Sequence, residues 1–370
     1  MKILIDLTAL ADNFSGIERF ALSITKELIK NSANQWVLLF KNSIHKDFCE
    51  EQENVEKIVI KGGNKLVFNQ VVLPAKLSAI RADKYFFPAF PAPFFFFNKN
   101  TYNTIHDLGC WDCPGTNKKH MIWYFKLMYW KAALNNKKII TVSEFSKERI
   151  CTILHAKPEN VSVVYNGISG AFNAEKSSAD EFKKAQEKYS LPEKYILCLS
   201  TMEPRKNLRL MLDVFASLYS DGVVEEVVLA GRKGWKMDDF LKGYNAKFLQ
   251  HIHFTGFVDD EDLPTIYSGA SWVVFPTKYE GFGIPPLESM ACGTPVISSD
   301  AASMPEVLGN SAIYFENNSF DSLNQKVKIA LSMSEIEKQK LIKRGLQQIK
   351  RFSWQNEAAK LNEIFKGHDK

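Results

Sequence analysis

The stretch Tyr279–Asp300, "YEGFGIPPLESMACGTPVISSD", predicts a loop, a short helix and a buried strand in succession. Proline has no N–H group and a preset φ, so Pro285 and Pro286 suit the first turn of a helix, which is predicted to begin near Pro286. Gly293 is expected to end this helix, and residues 295–299 read as the apolar strand that follows.

Two carboxylates flank the glycines of this stretch. Glu280 lies in the loop and Glu288 is predicted on the first helical turn, with Gly281 and Gly283 between them, so both are expected to face one small volume. Backbone N–H groups at a helix N-terminus favour phosphate, whereas carboxylates favour hydroxyl groups. A sugar nucleotide carries both groups. The alternative for the isolated stretch is a surface turn with a helix-capping glutamate.

The same alternation of strand and helix patterns continues along the whole chain. Its 370 residues exceed the usual size of a single core, which favours two domains. The predicted fold class is α/β, with two doubly wound Rossmann-like domains facing across a cleft. Their predicted bounds are 1–170 and 171–352, and the amphipathic segment 353–370 is expected to return to the first domain.

Composition limits the classes of protein. With 45% hydrophobic and 24% charged residues, the chain resembles an ordinary globular protein. Among six cysteines, Cys110 and Cys113 form the single close pair, and no second CxxC or HxxxH accompanies it, so reduced cytosolic thiols are expected and a metal site is not. Asp6 interrupts the apolar N-terminus, which therefore reads as a buried first strand rather than a secretory signal.

Charge is uneven along the chain. Residues 1–172 contain 22 Lys and Arg against 15 Asp and Glu, and the remainder contains 25 against 27. The stretch Phe86–Phe97, "FFPAFPAPFFFF", is too short and too rich in proline to span a bilayer. Together these features predict a cytoplasmic protein with peripheral contact to an anionic membrane. The alternative is a solvated basic face, and no nucleic-acid-binding motif is present.

Further candidate residues follow predicted strands. Gly16, in "SGIER", opens a helix where backbone could approach a phosphate. His106 and Asp107 end the strand of "TIHDL", where a histidine could donate a hydrogen bond to a sugar. For each of these, an ordinary turn or a core histidine is the alternative.

Two adjacent cations follow the strand "YILCLS". Arg205 and Lys206, in "STMEPRKNL", precede Asn207, which is predicted to cap the next helix. Cations at this place would stabilise a departing diphosphate more in the transition state than in the ground state. The alternative is a surface salt-bridge pair.

The ordered set of motifs resembles the GT-B retaining glycosyltransferases of family 4, in the mannosyltransferase-like branch that builds bacterial O-antigens and capsules. The resemblance covers roughly residues 2–357. The motifs that carry it are "SGIERF", "TIHDL", "TVSEFSKE", "VVYNGI", "TMEPRKNL", "LAGRKGW", "FTGFVDDEDLPTIYSGA", "FPTKYEGFGIPPLESMACGTPVISS" and "MPEVLGNSAIYF".

The resemblance implies roles for the candidate residues. Glu288 would hold the ribose hydroxyls and Glu280 the hydroxyls of the transferred sugar, while Arg205 and Lys206 would bind the diphosphate. The backbone of Gly281, Phe282, Gly283 and Ile284 would cradle sugar and diphosphate. Gly16 would approach the diphosphate from the other domain, and His106, followed by Asp107, would lie beside the anomeric carbon.

The resemblance further implies retention of configuration and no metal or other cofactor. One departure is Ser200-Thr201, where many relatives have Gly-Arg. GDP-mannose is the expected donor, with UDP-hexoses, GDP-fucose and dTDP-rhamnose as alternatives, and the expected acceptor is a glycan or lipid-linked glycan.

Three other classes of protein are alternatives: a dehydrogenase, a nucleotide-sugar epimerase and a non-catalytic binding module. The dehydrogenase is disfavoured because "GFGIPP" lacks the third glycine of GxGxxG.

Overall fold

The structure is a computed structural model that describes residues 1–10, 16–30, 33–116, 119–135, 138–175, 177–232 and 240–367. The chain divides into two compact units, Met1–Gly167 with Ser353–Lys370, and Ile168–Phe352. The sequence places the first boundary near residue 170, close to this division. Of the predicted motifs, Ser15 and residues 233–235 lie outside the described residues.

The first unit is built on a parallel sheet. Apolar runs form its strands because a sheet covered on both faces buries both sides of each strand. Within the described residues the sheet has seven strands in the order β3-β2-β1-β4-β5-β6-β7. The strands are β1 (Lys2–Asp6), β2 (Gln35–Lys41), β3 (Val55–Ile60), β4 (Lys84–Phe87), β5 (Thr101–Thr104), β6 (Lys138–Thr141) and β7 (Val161–Val163).

Helices connect and cover these strands. Ser143 caps one of them by accepting a hydrogen bond from the N–H of Ser146 at 3.0 Å. Buried side chains such as Leu4, Leu39 and Phe87 form a core on one side of the sheet. The helices up to this point of the chain are α1 (Gly16–Lys30), α2 (Lys65–Val67), α3 (Leu73–Ala79), α4 (Gly109–Asp112), α5 (Lys119–Asn135) and α6 (Glu144–Leu154).

The second unit repeats the architecture. Its sheet, as described, has six parallel strands in the order β10-β9-β8-β11-β12-β13. The strands are β8 (Ile196–Leu199), β9 (Val227–Ala230), β10 (Ile252–Gly256), β11 (Trp272–Phe275), β12 (Val296–Ser299) and β13 (Ala312–Phe315). The helices are α7 (Ala179–Tyr189), α8 (Leu208–Ser220), α9 (Ala246–Leu249), α10 (Leu263–Gly269), α11 (Ile284–Ala291), α12 (Met304–Leu308), α13 (Phe320–Leu331) and α14 (Glu335–Gln348).

The last helix, α15 (Trp354–Lys366), belongs to the first unit. The Phe365 ring is fully buried, with its centroid 5.5 Å from that of Phe86 and 5.1 Å from that of Tyr102. The carboxylate of Glu357 accepts a hydrogen bond from the N–H of Tyr165 at 3.0 Å. The apolar stripe of the C-terminal segment therefore has its partners in the first sheet.

No helix within the described ranges combines the length and the apolar composition that crossing a membrane requires.

Candidate active site

The candidate site of the second unit lies where its strand order reverses. Strands β8 and β11 are neighbours, but the chain continues from β8 to one side of the sheet and from β11 to the other. Ligands of doubly wound sheets bind beyond the carboxyl ends of the strands at such a point. The loop after β8 carries Arg205 and Lys206, and the loop after β11 carries Glu280.

Backbone hydrogen bonds fix these two loops to each other. Pro204–Lys206 forms one 3-10 turn, and the carbonyl of Arg205 accepts a hydrogen bond from the N–H of Lys278 at 2.8 Å. Ser303 donates its hydroxyl to the carbonyl of Glu280 at 3.0 Å. The charged side chains thus extend from backbone that neighbouring elements hold in place.

Glu280 is the centre of a buried charged cluster. Its carboxylate, in a residue only 8% exposed, lies 2.9 Å from Arg205 Nη1 through Oε2 and 2.5 Å from Lys206 Nζ through Oε1. The Thr277 hydroxyl donates to Oε1 at 3.0 Å. Charge-assisted bonds of this kind are stronger than neutral ones, so the cluster holds both cations in one geometry.

These contacts set the ionisation of Glu280. Burial alone would raise the pKa of its carboxyl, but the charges and hydrogen bonds of Arg205 and Lys206 outweigh burial and lower the pKa to about 2. Glu280 is therefore an anion throughout the physiological pH range.

The same contacts alter the predicted anion site. Arg205 also contacts a second carboxylate, Glu203, whose Oε1 lies 3.0 Å from Arg205 Nη2. The two cations are thus already paired with carboxylates, rather than exposed as an open anion trap. A bound diphosphate would share Arg205 and Lys206 with Glu280, which makes Glu280 a residue that positions both cations.

The glycine-rich bend precedes α11 in the order that the sequence predicts. Gly281, Phe282 and Gly283 are buried, and Ile284 begins the helix. Gly283 has φ +93° at the N-cap, and a Cβ there would lie 2.4 Å from Met304 Cε. Only glycine adopts this conformation without strain. The backbone predicted to cradle sugar and diphosphate therefore depends on a left-handed conformation at Gly283 that other residues adopt only with strain.

The prediction that Glu288 lies on the first turn of α11 is wrong. The helix begins at Ile284, not near Pro286, so its first turn contains no acidic residue and Glu288 lies on the second. Glu288 is buried, and its Oε2 accepts a hydrogen bond from the Tyr267 hydroxyl at 3.0 Å. The early start follows from the left-handed N-cap at Gly283, which sets Pro285 and Pro286 two positions further into the helix than predicted.

The position predicted for Asn207 is confirmed, but its side chain does not cap the helix. It occupies the N-cap position of α8, but it adopts left-handed dihedrals with φ 55°, and its side chain makes no capping hydrogen bond. Its Nδ2 donates to Oδ1 of Asn318 at 3.3 Å instead. Capping side chains typically bond the N–H groups of the first turn from extended backbone, and Asn207 has left-handed dihedrals instead.

In the first unit, His106 lies just beyond β5 and contacts the loop after β4. It is buried, and its Nε2 lies 2.9 Å from the carbonyl of Pro88. Because a carbonyl only accepts, Nε2 carries the proton. Burial lowers the pKa of His106 to about 4, against the smaller opposing effects of Pro88 and Asp107, so the ring is neutral. The predicted hydrogen bond from His106 to a sugar would require Nε2 to give up its bond to the Pro88 carbonyl. Nδ1 carries no proton in the neutral ring, so it can only accept a hydrogen bond.

Asp107 and Gly16 have simpler surroundings. Asp107 Oδ1 accepts a hydrogen bond from the N–H of Gly109 at 2.9 Å and so organises the start of α4. Gly16 is exposed at the first residue of α1. Their roles toward a substrate stay predictions.

Sequence reasoning missed two polar contacts of the glutamates. Thr277, which bonds Glu280, lies within the quoted motif "FPTKYEGFGIPPLESMACGTPVISS", and Tyr267, which bonds Glu288, lies in "FTGFVDDEDLPTIYSGA". Thr277 lies in the same motif as both glutamates, and Tyr267 lies in the motif that precedes it in the sequence. This proximity was the only sign in the sequence of these two contacts. Across the described part of the chain, no group of three or more His, Cys, Asp or Glu is arranged to hold a metal ion.

Comparison with known proteins identifies the family. Residues 179–348, which include β8 to α14, match the family described as Glycosyl transferases group 1. The chain carries a group 1 glycosyltransferase domain. This assignment excludes the dehydrogenase alternative.

Relatives of this group 1 glycosyltransferase extend the match into the first unit. The chain is 33% identical over 260 residues to O-antigen chain mannosyltransferase B of Escherichia coli, covering 68% of this chain and 66% of the relative. It is 28% identical over 230 residues to O-antigen chain mannosyltransferase RfbU of Salmonella typhimurium, covering 62% and 60%. The matched region thus spans less than two thirds of the length of either relative.

A solved structure supports the fold class. The crystal structure of Anabaena HepE in complex with UDP and glucose superposes with a TM-score of 0.73 at 16% identity, covering 99% of this chain and 100% of that one. The predicted GT-B fold class is confirmed, with one parallel Rossmann-like sheet in each unit.

Proposed function

We propose that this group 1 glycosyltransferase transfers mannose from GDP-mannose to a glycan or lipid-linked glycan acceptor in the biosynthesis of a bacterial surface polysaccharide. The choice of mannose is supported by the names of the relatives, both O-antigen chain mannosyltransferases. The observation that carries the assignment to this site is the buried cluster of Arg205, Lys206 and Glu280 at the strand-order reversal.

The cluster supports a role in neutralising the leaving group. As the bond between the anomeric carbon and the donor phosphate oxygen breaks, negative charge accumulates on the diphosphate, and Arg205 and Lys206 would offset it. Glu280 would hold the cations in position and accept hydrogen bonds from hydroxyls of the sugar. Glu288 would accept hydrogen bonds from the ribose, and the backbone of residues 281–284 would line the sugar and diphosphate.

The proposed reaction retains configuration and needs no metal. The acceptor hydroxyl attacks the anomeric carbon on the face that the diphosphate leaves, the new C–O bond forms, and the hydroxyl proton passes to a donor phosphate oxygen. GDP is the second product. His106, neutral and with Nδ1 as an acceptor, would lie beside the anomeric region.

A lipid-linked acceptor would bring the protein to the inner face of the cytoplasmic membrane. The excess of Lys and Arg over Asp and Glu in residues 1–172 supports peripheral contact of the first unit with anionic lipid.

A donor panel tests the proposal. GDP-mannose, UDP-glucose, GDP-fucose and dTDP-rhamnose are each incubated with EDTA, with octyl α-mannoside as acceptor, and nucleoside diphosphate release and product configuration are measured. We expect release of GDP from GDP-mannose and a product with the configuration of the donor. Arg205→Ala should lower the transfer rate by about a hundredfold or more.

The matched control is Arg344→Ala, an exposed arginine on α14, and it should transfer at the wild-type rate. Epimerised donor without transfer would indicate the epimerase alternative. Donor binding without any diphosphate release would indicate a binding module. Either outcome would overturn the proposal.

A further inference from the structure

The first unit exposes a group of large apolar side chains on three segments. They come from residues 66–71, from the phenylalanine-rich loop after β4, and from one side of α5. We name this group the apolar face. Its members are Leu66, Val67, Val71, Phe95, Phe97, Trp123, Leu127, Trp130 and Leu134.

Polar contacts join the three segments into one surface. The Gln70 side chain donates to the Tyr124 hydroxyl of α5 at 2.9 Å and accepts from the N–H of Phe94 at 3.0 Å. Lys131 of α5 reaches the same loop, where its Nζ donates to the carbonyls of Pro93 and Phe96 at 2.8 and 2.7 Å. The three segments that carry the exposed residues are therefore held next to each other by buried or half-buried neighbours.

Helix α5 presents two different sides. Trp123, Leu127, Trp130 and Leu134 follow a spacing of four, three and four residues, which aligns them along one side of a helix. Trp123 is 76% exposed and Trp130 is 54% exposed, whereas Tyr129 and Ala132 are buried in the core between α5 and the sheet. Helix α5 thus has large apolar side chains on its outward side, in addition to those that pack in the core on its inward side.

The sequence around the apolar face carries one sign of charge. Residues 61–143, which contain all of its members, include twelve Lys and Arg against three Asp and no Glu, so the excess is strongly basic. Examples are the exposed Lys65 and Lys99 and the half-buried Lys126. An anionic surface is complementary to this composition.

From these observations we infer that the apolar face is a docking surface for a bilayer that contains anionic phospholipid. Trp and Phe would enter the boundary between headgroups and acyl chains, where their rings are favoured, and the surrounding lysines would contact headgroup phosphates. A second copy of the chain is disfavoured as occupant, because two such basic faces would repel each other. The inference deepens the proposed membrane contact and does not depend on which sugar is transferred.

Vesicle binding of the full chain tests the inference. Protein is sedimented with vesicles of phosphatidylethanolamine and phosphatidylglycerol, and with vesicles of phosphatidylcholine alone, at low and high salt. We expect binding to the anionic vesicles that weakens in high salt, and a loss of about tenfold or more in partitioning for Trp123→Ala/Trp130→Ala. Both side chains are exposed, so the double variant should keep the wild-type melting temperature.

A matched control removes exposed apolar groups from the second unit. Ile329→Ala/Ile336→Ala, at positions 43% and 71% exposed, should bind vesicles as the wild type does. Release of GDP from GDP-mannose with octyl α-mannoside should be equal in all three proteins, which separates docking from transfer. Wild-type protein that ignores anionic vesicles, or equal binding by Trp123→Ala/Trp130→Ala, would refute the inference. So would a wild-type dimer that this variant converts to a monomer in sedimentation velocity.

Discussion

Glu280 connects the stability of the second unit to its chemistry. The carboxylate is buried, and two cations and a threonine hydroxyl supply its hydrogen bonds, so the ionised form is part of the folded structure. Removing one partner from a buried ion pair leaves an unpaired charge, which costs more than the pair itself contributes. The positions of Arg205 and Lys206 therefore depend on the charge of residue 280.

Glu280→Gln should reveal this dependence in the pH profile of stability. The pKa of Glu280 is lowered from 4.5 to about 2 by the net effect of its partners, so the stabilisation is complete above about pH 4.5 and is lost as the pH falls toward 2. We expect the wild type to exceed the variant by about 3 kcal/mol in free energy of unfolding at pH 7, and this difference to shrink between pH 4.5 and 3. Urea unfolding at pH 7, 4.5 and 3 measures it.

The exposed Glu316→Gln serves as the comparison, because the same change of charge there breaks no buried pair. It should keep the free energy of unfolding of the wild type at pH 7 to within about 0.5 kcal/mol. A difference between wild type and Glu280→Gln that stays constant from pH 7 to 3 would contradict the ion-pair explanation.

At the scale of the element, the bend before α11 combines a left-handed N-cap with close packing. Gly283 has φ +93°, and Met304 of α12 occupies the space where a side chain would begin. The bend also carries Glu280, so its backbone conformation and the position of the charged cluster are connected.

Gly283→Ala should therefore damage both stability and transfer. The left-handed conformation is expected to cost about 1–2 kcal/mol of unfolding free energy, the Met304 methyl group must move aside, and turnover of the donor should fall as the bend moves. Gly222→Ala is the matched control, because Gly222 has φ +85° with open space around it. It should cost about 1 kcal/mol and leave transfer unchanged. Thermal unfolding and donor turnover are measured for both variants. An equal loss of transfer in Gly283→Ala and Gly222→Ala would argue against the proposed role of the bend.

The elements were largely predictable because apolar runs mark buried strands strongly. The predicted buried first strand is β1, and the strand predicted at residues 295–299 is β12. The start of α11 was misplaced because the Pro-Pro pair fits several positions of a first turn, and the conformation of Gly283 selects among them. Glu280 lies 75 residues from Arg205 and 74 residues from Lys206 along the chain. A local sequence pattern therefore does not predict that these residues pair.

Helix α5 shows a second limit of the sequence. Met121–Leu134 has the apolar content of a core helix, and periodicity alone does not reveal which apolar side faces the sheet and which faces solvent. The exposure of Trp123 and Trp130 emerges only from the packing of Tyr129 and Ala132 on the inward side.

At the scale of the whole molecule, the chain leaves the first unit after Gly167 and returns to it at Ser353. The return is tightly packed: a Cβ at Gly167 would lie 2.4 Å from the backbone nitrogen of Trp354. The fold of the first unit therefore requires residues from both ends of the chain.

Phe365→Ala tests how much α15 contributes to the first unit. Loss of a fully buried ring between Phe86 and Tyr102 should lower the free energy of unfolding by about 3–5 kcal/mol. Differential scanning calorimetry of the full chain measures the effect, with the exposed Ile336→Ala expected to change stability by less than about 0.5 kcal/mol. Equal melting profiles for the two variants would mean that α15 is not an integral part of the unit.

The return of the chain also has a genetic consequence. Ile168 and Phe352 are joined by a backbone hydrogen bond of 3.1 Å, so the second unit begins and finishes at adjoining residues, and a single uninterrupted run of codons encodes it. Recombination between related genes can therefore exchange that run as a cassette without separating α15 from the sheet on which it packs. Chimeras joined at 167/168 and 352/353 would exchange the whole second unit and keep α15 with its own sheet.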